Sequence, residues 1–133
     1  MILYTTVGVS DLNRAIAFYT PVFATLDMAR MPEGDGEWAG WGLDYDHGTC
    51  FCIGSPFDRA APQPGNGTMI AFRAADVAAV QAFHAAALAN GGSDEGAPGT
   101  RHYYSPGIYV AYVRDPDGNK LAAVFHRYQP PPA

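Results

Sequence analysis

Two stretches of this chain, 65 residues apart, carry the same pattern, and that repetition restricts the possible folds more than any single motif does. Thr6-Val7-Gly8-Val9-Ser10-Asp11-Leu12, followed by Ala15, Ala17, Phe18 and Tyr19, is answered by Ala71-Phe72-Arg73-Ala74-Ala75-Asp76-Val77, followed by Val80, Ala82, Phe83 and His84. Each copy reads as a short strand, a polar helix cap and an amphipathic helix. A chain of 133 residues holds such a unit only twice. A unit of about 65 residues buries too little surface to stand alone, so two similar half-domains should share one core. A ligand is then expected between the halves, where clefts commonly form.

The remaining segments fit this division. Ile2 to Val9 is rich in β-branched and aromatic residues, and Ser10 or Asp11 can cap a helix whose Leu12, Ala15, Ile16 and Tyr19 share one face. Pro21 predicts a kink or an end to that helix. A short strand over Asp27 to Met31, a turn over 32–36, and a hairpin of Trp38 to Tyr45 with Thr49 to Gly54 follow. In the second half, Thr68 to Arg73 reads as a strand, and Asp76 caps a helix with Val77, Val80, His84 and Ala87 or Leu88 on its face. Asn90-Gly91-Gly92 stops it. A turn over 96–99, an aromatic strand region from Arg101 to Val113, the turn 115–119 and a last strand from Leu121 to Tyr128 complete the chain. The fold class is therefore α+β, with a first βαβββ module over 1–56, a linker over 57–67, a second βαβββ module over 68–128 and a tail over 129–133.

Charge narrows the partners. With 13 acidic residues against 8 Lys and Arg, the net charge of -5 argues against nucleic acid and anionic membranes as partners. No apolar run approaches the ~20 residues of a membrane span, and the first residues lack the pattern of a secretion signal, so a cytoplasmic protein is expected. Cys50 and Cys52 lie too close along a strand for an easy disulfide and have no zinc-type companions; they read as small apolar side chains or as a thiol facing the cleft.

Val7-Gly8-Val9-Ser10-Asp11-Leu12 with Arg14 to Tyr19, Phe83 to Ala87 with Gly91-Gly92, and above all Arg114-Asp115-Pro116-Asp117-Gly118-Asn119-Lys120-Leu121 resemble the vicinal oxygen chelate superfamily of glyoxalases, bleomycin-resistance proteins and dioxygenases. The resemblance implies two βαβββ modules whose curved mixed sheets surround a central cavity, often assembled as a homodimer. It also implies where a metalloenzyme of this family would hold its ion. Those positions fall on Tyr4, Met69 and Ala122, with a fourth between Cys50 and Cys52. Tyrosine ligates only as phenolate, methionine favours soft metals, and alanine donates nothing, so no metal and no cofactor are expected there.

The aromatic residues then suggest a different use of the cavity. Trp38 and Trp41 are three apart on a presumed strand, which puts one in the core and the other on the cavity wall. Tyr4, Tyr104 and Tyr109 add planar surface with hydroxyl tips. Arg73 or Arg101 can meet a carboxylate with two parallel hydrogen bonds. His102, in the segment Arg101-His102-Tyr103-Tyr104, is the histidine best suited to proton transfer, with Tyr104 assisting. The expected function is metal-independent binding or sequestration of a small planar organic molecule. The alternatives are a lyase or isomerase using His102 and a tyrosine, or an accessory module with a vestigial cavity.

Overall fold

The structure is a computed structural model and describes residues 1–32 and 36–132, so part of the expected 32–36 turn lies outside the described residues. The element order is β1 (Tyr4–Gly8), α1 (Leu12–Ala24), β2 (Trp38–Trp41), β3 (Cys50–Gly54), β4 (Ile70–Arg73), α2 (Val77–Ala89), β5 (Ser93–Gly99), β6 (Tyr109–Arg114) and β7 (Lys120–Phe125). The repeat is structural. Asp11 and Asp76 cap α1 and α2, their carboxylates accepting from the amides of Arg14 at 3.0 Å and Ala79 at 2.8 Å. In both halves the strand before the helix pairs in parallel with the last strand, β1 with β3 and β4 with β7.

The halves differ in strand number. The first sheet has the order β1-β3-β2 and the second β4-β7-β6-β5, so the first half is βαββ where βαβββ was expected. The expected strand over Asp27 to Met31 is reduced to a bridge between Arg30 and Trp41, supported by Met31 N–H donating to the Gly40 carbonyl at 2.8 Å. Asp27 at φ 56° turns the chain before pairing can extend.

Two further expectations are corrected in the second half. Residues 96–99, read as a turn, belong to β5, an edge strand whose register shifts on both sides of Gly96. Edge position and irregular pairing are what let Pro98 sit in a strand. Arg101 to Ile108, read as strand, instead forms successive turns, with Tyr104 N–H donating to the Arg101 carbonyl and Ile108 N–H to Ser105.

The core lies between the sheets and the helices. In α1 it takes Ala15, Phe18, Tyr19, Val22 and Phe23, a stripe rotated from the expected Leu12, Ala15, Ile16 and Tyr19 face because α1 packs against α2 as well as its own sheet. Pro21 does not end the helix. Ala17, whose carbonyl lies four residues before Pro21 and so receives no amide donor from it, is an exposed residue. At the end of α2, Gly92 packs so tightly that an added Cβ would come within 2.7 Å of both the Phe18 ring and the Arg114 carbonyl.

The turn between β6 and β7 joins the two halves. Asp115, 3% exposed, accepts the Tyr19 hydroxyl at 2.6 Å and the Asn119 side-chain amide at 2.8 Å on one oxygen. Its other oxygen accepts the backbone amides of Asp117 and Asn119. Asn119 also donates to the Gly8 carbonyl at 3.0 Å, and Asp117 accepts the Ser10 hydroxyl at 2.6 Å. Burial and then the neighbouring carboxylate hold the Tyr19 hydroxyl protonated well above the ordinary phenol range.

Candidate functional site

Alternation along the strands divides each sheet into a helix-facing side and an open side. In the first sheet Val7, Ala39, Trp41, Phe51 and Ile53 enter the core. The register places Thr6 beside Cys52 and Gly40 opposite it, with Tyr4, Gly8, Trp38 and Gly54 on the same open side. All of these but Gly40 line a cleft of 520 Å³, completed by Tyr45, whose ring meets Tyr4 edge-on at 6.2 Å, and by the loop carrying Phe57 and Arg59. Arg59 is paired with Glu37 at 3.6 Å. Burial, with a smaller effect from Cys50, pushes the Cys52 thiol up, so it is held as a thiol and not poised as a nucleophile.

The second sheet repeats this division. Ala111, Val113, Leu121 and Ala123 enter the core, while Val110, Tyr112 and Ala122 pack together on the opposite side. Arg114 and Lys120 are direct cross-strand partners on that open side, as are Tyr112 and Ala122. Arg114, Lys120 and Tyr112 line a cleft of 740 Å³ with Met69, Arg101, Tyr103 and Tyr104. The Tyr112 hydroxyl donates to that of Tyr104 at 3.2 Å. A third cavity, of 570 Å³, lies at the seam between halves among Thr5, Met28, Ile70 and Phe72.

Five of the ten candidate residues line the two open clefts: Tyr4 and Trp38 the first, Met69, Arg101 and Tyr104 the second. Ala122 is fully covered beneath Tyr112 on the second open side. Trp41 is 1% exposed in the core, so the two tryptophans divide as their spacing predicts. Tyr109 points to the helix side, where its hydroxyl accepts from Gln81 at 3.3 Å and its ring packs on Tyr128. Arg73 borders the seam cavity and donates to the His126 ring at 3.0 Å. His102 is exposed, edge-on to Tyr103, and outside the lining of the second cleft. Sequence reading missed Tyr112, Lys120 and Tyr45. Strand parity carries a signal for the first, because Tyr109 and Tyr112 are an odd number apart and cannot share a face.

The family's metal positions do not fit an ion. Ala122 presents a methyl group packed against Tyr112 and Val110, Met69 a thioether, and Tyr4 a phenol at the cleft edge. Among the described residues no group of three His, Cys, Asp or Glu is placed to hold a metal. What the open sides present is aromatic and apolar area with a few directed hydroxyls, the composition of a pocket that binds a small organic molecule without metal ligation.

Comparison with known proteins agrees with the fold. The profile of the Glyoxalase/Bleomycin resistance protein/Dioxygenase superfamily matches residues 1–123, and the chain belongs to that family. A glyoxalase/bleomycin resistance protein from Albidiferax ferrireducens T118 is 33% identical, with a TM-score of 0.83 over 98% of this chain and 99% of that one. A family enzyme from Burkholderia phytofirmans PsJN, 19% identical, superposes at 0.72 over 93% of this chain and 97% of that one. Lactoylglutathione lyase from Agrobacterium tumefaciens, 21% identical, does so at 0.62 over 96% and 94%; these two likenesses concern the fold alone. No curated protein matches the chain.

Proposed function

We propose that this protein binds and sequesters a small planar organic molecule on its open sheet faces, without a resident metal. The observation that carries the reading is the replacement of hard-metal ligands by Tyr4, Met69 and Ala122 on faces that also carry Trp38, Tyr45, Tyr104 and Tyr112. A flat ring gains contact area and edge or stacking interactions from such side chains. The two clefts share no lining residue within one chain, and β1 and β4 are both edge strands. Ile2, Leu3, Tyr4 and Met69 are exposed beside those edges. A homodimer pairing β1 of one copy with β4 of the other would cover this apolar surface and bring the two kinds of open face around one curved cavity.

The test uses Trp38 as reporter. Planar aromatic compounds should quench tryptophan emission and raise the melting temperature, and Trp38→Ala should weaken their binding by about tenfold. Binding unchanged by Trp38→Ala, or a zinc, nickel, iron or manganese ion bound stoichiometrically and lost on substituting Tyr4 and Met69, would refute the reading.

A further inference from the structure

We propose that the cleft on the second sheet is an anion site, which holds a carboxylate or phosphoryl group of the ligand among Lys120, Arg101 and the Tyr104 hydroxyl. The inference rests on the binding reading above and specifies the chemical class of the ligand. It starts from a local charge excess. The chain has a net charge of -5, yet this cleft gathers Arg101, Arg114 and Lys120 against a single carboxylate, Glu95. Glu95 is committed to Arg114 at 2.6 Å. Asp94, outside the cleft lining, feels the Arg101 charge but is bonded to His84 at 2.8 Å.

Two cations are thus left without a direct ion pair around one ring. Lys120 Nζ lies 5.2 Å and Arg101 Cζ 5.5 Å from the Tyr112 ring centre, and neither has an ion-pair partner among the described residues. Among the described residues Arg101 donates to the carbonyls of Ala97 at 2.7 Å and Thr100 at 3.2 Å, which leaves N–H groups of its five unused there. Lys120 also sits directly opposite Arg114 across the strands, a like-charge pairing in which Glu95 offsets the Arg114 charge alone. Room for this arrangement depends on Gly96. A Cβ there would lie 2.9 Å from both the Arg101 guanidinium and the Tyr112 ring.

The hydroxyls complete the recognition. Tyr112, pushed up to about 12 by burial and by its bond to Tyr104, stays protonated and donates to Tyr104. That polarises the Tyr104 hydroxyl, whose own proton has no acceptor among the described residues and is available to an anionic oxygen.

Calorimetry on the full chain with benzoate, phenyl phosphate, benzamide and inorganic phosphate tests this. At least one ring-bearing anion should bind about tenfold tighter than neutral benzamide, and added salt should erode the preference. Lys120→Met combined with Arg101→Met should reduce the preference below about threefold, with benzamide binding as the check that the variant is folded, while Arg127→Met leaves the preference intact. The tighter of benzoate and phenyl phosphate identifies the acid group. If benzamide binds as well as both anions, or the preference survives the double substitution, the anion assignment falls and the aromatic-ligand reading stands. If inorganic phosphate binds as tightly as the ring-bearing probes and is lost in the double variant, the anion site stands and the planar-ligand reading falls. No binding by any probe at about 10 mM overturns both.

Discussion

The open side of the first sheet carries Tyr4, Thr6, Trp38 and Cys52, while that of the second carries Met69, Tyr112, Arg114 and Lys120. On their helix-facing sides both sheets bury apolar residues, with Trp41, Phe51 and Ile53 in the first and Val113, Leu121 and Ala123 in the second. The buried sides stay alike because both helices must be covered. The open sides answer only to what binds there, and they have diverged into a neutral, aromatic surface and a cationic, phenolic one.

The largest effect should come from exchanging the two tryptophans' fates. Trp41→Ala is expected to cost about 3–5 kcal/mol in urea unfolding, because it empties a core position among Tyr19 and Phe23. Trp38→Ala, three residues along the same strand, should cost about 1 kcal/mol or less and act on ligand binding instead. Similar losses for both would erase the division into core side and open side.

Next comes the joint between halves. Asp115→Ala should lower stability by about 3 kcal/mol, since it leaves the buried Tyr19 hydroxyl and Asn119 amide without an acceptor. Tyr19→Phe should cost about 1–2 kcal/mol, because Asn119 still serves Asp115. The same pair sets an alkaline limit. Unfolded, the phenol ionises near ~10; folded, it stays protonated, so stability is level below that pH and falls as pH rises beyond it. Tyr19→Phe should flatten the fall in part, with Tyr112 responsible for a remainder in the same direction. An unaltered slope in both Tyr19→Phe and Tyr112→Phe would show that neither phenol is linked to folding.

The smallest effect concerns the contact between α2 and β5 in the second half. His84 on α2 and then the Gly96 amide lower the Asp94 carboxyl below its usual range. The associated stabilisation is present above the unfolded value near ~3.9 and is lost as pH falls through the lower folded value. In His84→Ala, an NMR titration of Asp94 should move upward; no movement would mean that the contact is not populated.

Much of this arrangement was legible in the chain. Asp11 and Asp76 announced both helices because capping is a local interaction, and the spacing of the tryptophans assigned their faces because strand alternation is geometric. β5 was hidden by Gly96, Pro98 and Gly99, residues that signal a turn unless a neighbouring strand stabilises them. The reduced strand in the first half failed for the converse reason, since its sequence permits pairing but Asp27 redirects the backbone. His102 drew attention by residue type, yet the turns after Arg101 carry it outward. The charge cluster depended on Arg114 and Lys120 meeting across a turn, and on Arg101 reaching Tyr112 over Gly96, contacts that only the folded register creates.

The turn around Asp115 has a consequence for how such chains are read. Its three polar side chains are spent on Tyr19, Ser10 and the Gly8 carbonyl, all in the opposite half, and none lines the first open cleft. The stretch that most readily betrays kinship is therefore a fastener. A descendant of this scaffold can exchange every side chain on its two open faces, and with them its chemistry, while the fastener stays the same and continues to advertise the old relationship.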